Sequence, residues 1–437
     1  MKKILLLSLT TLLVSITSNA QSYEWAKSTE NSGSSQGKSI AYGASGNVYI
    51  AGSFNNTVDF DPGIGITNLT SNGSSDIYIL KLDALGDFLW VKQIGGAEQD
   101  VANAIHVDKG GDIYLTGFFS NSVDFDPGTG ISNFISNGVK DAFVLKLNSL
   151  GNFVWAKQFG GIENDEAYDI EVDANRFVYV TGVFSDIVDF DPSISVNNLT
   201  SDGGYDGFVL KLLPSGDLNW VKKVGGTHSD QRSLALALDA TNNVFTTGYF
   251  RTTVDFDPSS ATTSLTSSGM RDCYVLKFDS NGNFIWVKSI GGGLQDSGND
   301  IVIDANGNPL VTGQFQYTVD FDPGTGTTNL VSSGILDAFI LKLDAAGNFD
   351  WAKSYGGTSS ENSKSISLDT DGNIYTTGNF YETADFDPGT GTSNFTATAT
   401  SSDLFILKLN PTGDYIWAGE IGELGDDIGY SITVDDA

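Results

Sequence analysis

The sequence predicts an all-β fold in which one antiparallel unit is repeated along the whole chain. The pentapeptide Val-Asp-Phe-Asp-Pro begins at positions 58, 123, 188, 254 and 319, and Ala-Asp-Phe-Asp-Pro begins at position 384, so the copies are almost evenly spaced. All seven tryptophans stand two positions after a Phe, Tyr or Leu, again at this spacing. The apolar residues of each unit alternate as they do in strands and show no helical period.

Within one unit, four short alternating segments are separated by turn residues. The unit that follows Trp90 contains predicted strands at Ala104–Asp108, Asp112–Phe119, Asp141–Asn148 and Phe153–Gln158. A Gly-Asn or Gly-Asp pair closes the last turn of every unit, as tight hairpins with positive φ require. Four antiparallel strands per unit without helices are typical of a β-propeller blade. A large aromatic residue at one fixed place per unit, here Trp, is expected to fill the gap between neighbouring units.

Residues 21–437 are therefore predicted to form a single β-propeller domain. The predicted complete blades span residues 39–95, 104–160, 169–225, 234–291, 300–356 and 365–422. Residues 23–28 resemble a spare fourth strand and residues 430–435 a spare first strand. We expect six complete blades plus an incomplete seventh blade that the two chain ends share, in a chain that is a fragment ending inside that blade. A six-bladed ring with frayed ends is the alternative.

Residues 1–20 read as a secretory signal peptide. Lys2 and Lys3 precede the apolar run Ile4–Val14, and Ser18 and Ala20 offer small residues for cleavage before residue 21. A membrane anchor is the alternative, but this apolar run is much shorter than the ~20 residues that span a bilayer. No other long apolar run is present. The sequence predicts an exported protein, extracellular, cell-surface or periplasmic, that is not an integral membrane protein.

Charge restricts the possible partners. The chain has 23 Lys and Arg against 54 Asp and Glu, a net charge of −31, which repels nucleic acids and anionic membranes. Cations and basic partners are favoured. Cys273 is the only cysteine, so no intrachain disulfide can form, and a buried, inert thiol is expected.

A longer pattern carries a family resemblance. The run D-x-[FY]-[VI]-L-K-[LF]-D-x-x-G-[ND]-F-x-W-[VA]-K-x-x-G-G, followed by I-x-[VL]-D-x-x-G-N-[VI]-Y-x-T-G-x-F, is well represented in Asp76–Phe119 and Asp141–Phe184. It resembles the bacterial β-propeller repeat family, the seven-bladed type of exported proteins with SBBP-like repeats. The resemblance implies an exported or surface-attached propeller. It supplies no catalytic or cofactor-binding residues to carry over.

The pentapeptide itself is a candidate metal site. Its Val and Phe should point one way and its two Asp residues the other, because side chains alternate along a strand. Paired carboxylates followed by a turn are hard oxygen ligands that suit Ca²⁺. A solvated acidic edge that discourages pairing between chains is the alternative. The candidate ligands are Asp59, Asp61, Asp124, Asp126, Asp189, Asp191, Asp255, Asp257, Asp320, Asp322, Asp385 and Asp387.

A second acidic set lies ten positions after six of the tryptophans. These residues should share one face of the ring with the pentapeptide loops, which would make that face strongly acidic. They either bind a cation or basic ligand, or cap backbone N–H groups in their loops. A further Asp begins each predicted third strand, at 76, 141, 206, 272, 337 and 403, and is expected to hydrogen-bond to a neighbouring loop. The second set is Asp100, Asp165, Asp230, Asp296, Glu361 and Asp427.

No catalytic constellation is evident. His106 and His228 are the only histidines and fall at different places in the repeat, which argues against a histidine metal site or a Ser–His relay. Near-equivalent units favour a non-enzymatic binding scaffold for a protein or glycan. The alternatives are a lyase or glycosidase with its site at the ring axis, and a structural spacer. Either a monomeric propeller or part of a larger surface protein is expected. Blade-specific residues near the axis would favour the enzyme.

Overall fold

The computed structural model describes residues 24–29, 33–226, 230–398 and 400–435, which form six four-stranded antiparallel blades in a ring. Within each blade the four long strands pair in chain order, and the first strands of successive blades are neighbours around the axis. We call the first strand of a blade inner and its last strand outer. The described residues contain no α-helix, only a 3-10 turn at Ala44–Gly46.

The strands follow the predicted order in every blade. Blades 1 to 3 contain β1 (Ser34–Tyr42), β2 (Val48–Asn55), β3 (Thr57–Asp59), β4 (Asn68–Thr70), β5 (Asp76–Leu82), β6 (Phe88–Ile94); β7 (Val101–Val107), β8 (Ile113–Phe119), β9 (Ser122–Asp124), β10 (Asn133–Ile135), β11 (Asp141–Leu147), β12 (Phe153–Phe159); and β13 (Glu166–Val172), β14 (Val178–Asp189), β15 (Asn198–Leu212), β16 (Leu218–Val224). Blades 4 to 6 contain β17 (Arg232–Leu238), β18 (Val244–Phe250), β19 (Thr253–Asp255), β20 (Ser264–Thr266), β21 (Asp272–Phe278), β22 (Phe284–Gly292); β23 (Ser297–Ile303), β24 (Pro309–Phe315), β25 (Thr318–Asp320), β26 (Asn329–Val331), β27 (Asp337–Leu343), β28 (Phe349–Gly357); and β29 (Glu361–Leu368), β30 (Ile374–Phe380), β31 (Thr383–Asp385), β32 (Asn394–Thr396), β33 (Asp403–Leu409), β34 (Tyr415–Ile421).

The pentapeptide begins a small hairpin that the sequence analysis did not anticipate. In blade 2, β9 pairs with β10, and Val123 stands opposite Phe134. In blade 3 the same hairpin extends the long strands β14 and β15 without a break. In blades 5 and 6, the first hairpin strand also pairs with the outer strand of the preceding blade. The hairpin therefore connects neighbouring blades as well as lengthening its own.

The core lies between the blades. The two apolar residues of the pentapeptide are buried, as the alternation predicted: Val123 and Phe125 are each 1% exposed. The Phe125 ring lies edge-on to Phe119, with centroids 5.2 Å apart, and 5.0 Å from the Phe143 ring. Aromatic pairs with such spacing add to the free energy of burial. Each pentapeptide thus anchors its hairpin to the second and third strands of its own blade.

The tryptophans of blades 1 to 5 each lie on the following blade, which confirms their predicted role. Trp90 lies against Gly151, in the turn between the last two strands of blade 2. Gly151 has φ 74°, and a Cβ there would approach the Trp90 ring to 3.2 Å. In the next pair of blades, the Trp155 Nε1 donates a hydrogen bond to the Pro214 carbonyl at 3.2 Å. A glycine at this turn is required by both the backbone conformation and the approaching indole.

The ring contains six complete blades, so the six-bladed alternative describes it, and the incomplete seventh blade is not confirmed. Residues 24–28 and 430–435, the described parts of the two predicted spare strands, are not in strands. Both lie between blades 6 and 1. Trp25 contacts Gly86 of blade 1, and Ile432 N donates to Ser365 Oγ of blade 6 at 3.2 Å. A strand needs a paired neighbour, and these segments have none among the described residues.

Two other sequence predictions concern burial and the membrane. Cys273 is fully buried, and burial raises the pKa of its thiol to about 12, so the expected inert thiol is confirmed. The described part of the chain has no helix long and apolar enough to cross a membrane. The predicted signal peptide, residues 1–20, lies outside the described residues.

Candidate functional site

The two unusual loop sets meet on one side of the ring, as their connectivity predicted. The loop that precedes each inner strand contacts the end of the loop that carries the pentapeptide hairpin. In blades 1 and 2, Asp100 N donates to the Ser75 carbonyl at 2.9 Å, and Ser120 N donates to Asp100 Oδ1 at 3.1 Å. We call the surface formed by these loops and hairpins the loop face.

The second acidic set is not an exposed ring. Asp100 is 0% and Asp165 1% exposed. Asp165 Oδ2 accepts from Gly161 N at 2.7 Å and its Oδ1 from Ser185 N at 3.0 Å, so one carboxylate ties the blade 2–blade 3 loop to the end of a second strand. The same pair of hydrogen bonds recurs at Asp100. Of the two interpretations, the backbone cap is the one that these contacts support.

One predicted member of this set is misplaced. Gln231, not Asp230, occupies the equivalent position in blade 4: it is 0% exposed, and its N–H donates to the Tyr205 carbonyl at 3.0 Å. The Asp230 side chain is 36% exposed and lies 3.5 Å from Arg232 Nε. The repeat contains one extra residue between blades 3 and 4, so counting ten positions from Trp220 reaches the residue before the buried one.

Burial raises the pKa of the carboxyl groups that cap these loops. It raises the pKa of Asp100 and Asp165 to about 7 and that of Asp296 to about 6, against a usual value near 4. The pKa of Glu361 rises to about 8 for the same reason. Nearby carboxylates, such as Asp76 beside Asp100, push in the same direction. These acids therefore titrate close to neutral pH in the folded protein.

The aspartates that begin the third strands have the predicted role. Asp141 Oδ2 accepts from Asn137 N at 3.0 Å and from Gln158 Nε2 at 2.6 Å. This arrangement also explains the first glycine of each Gly-Gly pair. A Cβ on Gly160 would come within 2.2 Å of the Asp141 carboxylate carbon, so only glycine fits.

The pentapeptide aspartates shape the hairpin loop. Asp124 Oδ1 accepts from Asp126 N at 3.0 Å and from Ser132 N at 2.7 Å, and Asp126 Oδ1 accepts from Gly128 N at 2.8 Å. Equivalent bonds recur in the other five blades. The residues that the structure describes contain no group of three His, Cys, Asp or Glu side chains arranged to hold a metal ion. Calcium binding by these pairs stays a prediction.

The tips of these loops carry a feature that the sequence analysis missed. In blades 1 to 3, large apolar side chains project into solvent: Ile64 is 108%, Ile66 77%, Ile131 78%, Ile194 103% and Val196 70% exposed. In the sequence, these apolar residues stand two or four positions after the proline of the pentapeptides of blades 1 to 3. In blades 4 to 6 the same positions hold Ser260, Thr262, Thr325, Thr327, Thr390 and Thr392. The loop face is thus apolar at its tips on one half of the ring only.

Residues near the axis differ from blade to blade. Every inner strand has an irregular pairing at one place, where the extra residue is Lys38, Asn103, Tyr168, Leu234, Asn299 or Lys364. Several of these side chains join neighbouring inner strands. Asn103 Nδ2 donates to the Ala167 carbonyl at 2.9 Å, and Arg232 Nη1 donates to Tyr168 Oη at 2.8 Å.

The described histidine has a similar bridging contact. His106 Nδ1 lies 3.0 Å from Glu171 Oε2 of the next blade. Burial lowers the pKa of His106, but the Glu171 carboxylate, together with Asp108 and Asp169, raises it, and the net shift is upward. His228 lies outside the described residues. The contacts of His106 are those of an inter-blade link.

A family comparison agrees with this architecture. Residues 154–183 match the family of β-propeller repeats. They run from the outer strand of blade 2 into the second strand of blade 3, a segment whose pattern recurs around the ring. Residues 154–183 are therefore similar to a β-propeller repeat. The seven-bladed type that the sequence resemblance implied is not confirmed, since the described residues form six complete blades.

The two curated relatives are distant, and this chain spans about a third of the length of one and less of the other. An uncharacterised WD repeat-containing protein of Acanthamoeba polyphaga mimivirus is 25% identical over 90% of this chain and 34% of its own length. The regulatory protein FlaEY of Caulobacter vibrioides is 27% identical over 42% of this chain and 18% of its own length. A solved protein of unknown function from Bacteroides caccae aligns with 82% of this chain and 94% of its own, with 10% identity and a TM-score of 0.39. The repeat match and the WD-repeat relative are in keeping with the propeller fold.

The buried acids predict that the protein is more stable at pH 5 than at pH 8. Their raised pKa values mean that the folded state binds more protons than the unfolded state between about pH 4 and pH 8, so stability falls as pH rises through this window. Below about pH 4 the trend reverses. There the exposed carboxylates whose pKa is lowered, such as Asp344, become protonated, and the folded state loses stability. Thermal unfolding across pH 3 to 9 measures this. The Asp165→Asn variant should show a flatter profile, and a midpoint that rises from pH 5 to pH 8 would contradict the interpretation.

Proposed function

We propose that this propeller is a non-enzymatic scaffold that binds a protein partner on the loop face of blades 1 to 3. The observation that carries this proposal is the set of five exposed apolar side chains at the tips of three consecutive blades, absent from the equivalent positions of the other three. Exposed apolar groups rimmed by polar residues are typical of interaction sites. A scaffold that needed no partner would have no reason to differ between its halves.

The loop structure supports a rigid rather than an adaptable site. Each tip is held by its Asp pair, whose carboxylates accept three backbone N–H bonds within 2.7 to 3.0 Å in blade 2. The tips therefore present their apolar side chains without a large ordering cost on binding. Because the chain carries a net charge of −31, a partner with apolar pockets flanked by basic residues is favoured. The WD-repeat relative is in keeping with a protein partner.

A matched pair of multiple variants tests the proposal. Converting the five apolar tip residues to Thr should lower the affinity for a partner found on a protein array by at least about tenfold, since central apolar contacts dominate binding. The control variant carries Thr→Ser changes at Thr325, Thr327, Thr390 and Thr392 and should bind as the wild type does. Both sets lie in solvent, so stability should change by less than about 0.5 kcal/mol each.

The outcomes separate the candidate functions. Loss of binding in the tip variant alone supports a protein partner on blades 1 to 3. Equal binding by the wild type, the tip variant and the control variant would show that the partner docks elsewhere. Recognition confined to a glycan array would favour the glycan alternative.

We also propose that the pentapeptide pairs take up calcium. The support is chemical: two carboxylates, at Asp124 and Asp126 in blade 2, stand beside a turn of backbone carbonyls in each of six loops. Bound ions would reduce the repulsion between the two carboxylates of each pair. The thermal midpoint should therefore rise on addition of CaCl₂ and fall on addition of chelator, and the shift should shrink in an Asp126→Asn variant. A thermal midpoint that is the same with calcium and with chelator would rule out calcium binding by these pairs.

We further propose that the protein is exported. The charged start, the apolar run Ile4–Val14 and the small residues before Gln21 support cleavage of a signal peptide. The exported protein should begin at residue 21, which its intact mass will show. A mass that retains the segment before Gln21 would indicate an anchor instead.

A further inference from the structure

Blade 4 carries a group of basic side chains on the loop face of an otherwise acidic protein. Three of the four arginines in the sequence lie at the loop-face ends of its strands: Arg232 begins β17, Arg251 follows β18 and Arg271 precedes β21. We call these three residues the arginine cluster. The equivalent positions of the other five blades contain no arginine. In a chain with a net charge of −31, this cluster is a feature of one blade and not of the repeat.

Strand pairing brings two members of the cluster side by side. The last paired residues of β18 and β21 at this end are Phe250 and Asp272. Arg251 and Arg271 are the next residues outward on the two strands, so they leave the sheet as neighbours. Like charges at facing positions of adjacent strands repel each other. A negative charge bound between these side chains would remove that repulsion.

Tyr249 connects the third member to the other two. Arg232 pairs with Tyr249 across the inner two strands, and the Arg271 guanidinium lies 4.5 Å from the centre of the Tyr249 ring. On its other side, the Arg232 guanidinium lies 5.1 Å from the ring of Tyr205. Aromatic rings hold a guanidinium in place by cation–π attraction but do not neutralise it. The cluster is therefore positioned and still charged.

The acids of the protein neutralise the cluster only in part. In blade 2, Lys140 stands where Arg271 stands in blade 4, and it pairs with Glu166 of the following blade at 3.1 Å. In blade 5 the residue equivalent to Glu166 is Ser297. The neighbouring Asp296 carboxylate already accepts two backbone N–H bonds as a loop cap. Arg271 thus lacks the acid that its counterpart has.

Arg232 is the only member of the cluster with an acid within ion-pair distance among the described residues. That acid is Asp230, 3.5 Å from Arg232 Nε. The guanidinium groups of Arg251 and Arg271 have no such contact in the described part of the chain. Two positive charges on one blade therefore remain available to an anion from outside the protein.

Buried polar atoms beside the cluster also lack partners. The Nε atoms of Arg251 and Arg271 are shielded from solvent and have no hydrogen-bond partner in the part of the chain that the structure describes. Gln231 is 0% exposed, and neither its amide oxygen nor its amide nitrogen is hydrogen-bonded. In blade 2 the equivalent Asp100 accepts from the N–H of Ser120, the residue equivalent to Arg251, so the Gln231 amide lies beside Arg251. Buried donors without partners cost free energy, which a bound acceptor would recover.

We propose that the arginine cluster of blade 4 binds a carboxylate group of a partner molecule. A guanidinium donates two parallel hydrogen bonds to a planar carboxylate, and Arg251 and Arg271 offer two such groups side by side. A carboxylate carries a single negative charge, so the acidic chain repels it less than it repels phosphate or a polyanion. The site lies on blade 4, away from the apolar tips of blades 1 to 3, and goes beyond the function proposed above.

Calorimetric titration of the purified chain with glucuronate tests the proposal, with glucose as the uncharged control. The ionic strength is held constant, because salt screens charge interactions. A second probe is N-acetyl-triglycine with a free C-terminal carboxylate, and its control is the C-terminal amide. Saturable binding of either acid without binding of its control supports the proposal. The acid that binds more tightly indicates whether the carboxylate belongs to a sugar or to a peptide end. Binding of neither acid, or tighter binding of inorganic phosphate, would overturn the proposal.

Variants of the protein locate the carboxylate. Arg251→Gln and Arg271→Gln should each weaken binding at least about tenfold, because each removes a charged donor. Arg271→Lys keeps the charge but loses the paired donors, so its affinity should lie between those of Arg271→Gln and the wild type. Neither glutamine variant should lower the thermal midpoint without ligand, since each removes a repelling charge.

The fourth arginine provides the matched control. Arg176 lies in the turn between β13 and β14 and pairs with Asp108, 3.2 Å from its Nε. Arg176→Gln changes the net charge equally and should bind the acids as the wild type does. Equal binding by Arg271→Gln and the wild type, or an equal loss in Arg176→Gln, would contradict a site on blade 4. The variant with Thr at the five apolar tips should keep the wild-type affinity for the acids, so failure of one proposal is distinguishable from failure of the other.

Discussion

The structure depends on one packing constraint: the blades are apolar on both faces, so each must be covered on both sides. An antiparallel sheet usually faces water on one side, but in blade 2 the third strand β11 is buried along its whole length. Arranging blades in a ring lets the faces of neighbouring blades cover each other. The tryptophans and pentapeptide hairpins follow from the same constraint, because both link a blade to its neighbour at the rim, where the sheets diverge.

Buried carboxylates perform the second structural task. The loops between blades must turn sharply and still satisfy their backbone N–H groups. Asp165 does so by accepting two of them, from Gly161 and from the more distant Ser185. The cost is desolvation of an acid, visible in its raised pKa. In such a loop an acid is a structural residue, and its recurrence at Asp100, Asp296 and Glu361 is what a structural role produces.

A specific function must depend on residues that differ from one blade to another. The apolar tips of blades 1 to 3 are one such departure from equivalence. The tips are exposed because their loops project beyond the blades. The inner-strand residues also vary, but Asn103 and Tyr168 use their polar atoms to join adjacent strands.

The sequence alone determined the repeat, the strand order and the burial of Val123 and Phe125, because these follow from short-range alternation and regular spacing. It also located the loop aspartates, since the connectivity of strands fixes which loops share a face. Only the tertiary structure decided that Asp165 is buried and that Gln231 replaces Asp230, because burial depends on the neighbouring blade. It alone showed that Ile421, the last residue of β34, is exposed. The residues at the same place in the other blades are buried; they are Ile94, Phe159, Val224, Ile290 and Tyr355. The residue type is apolar in every copy, and exposure is set by whether another sheet lies against it.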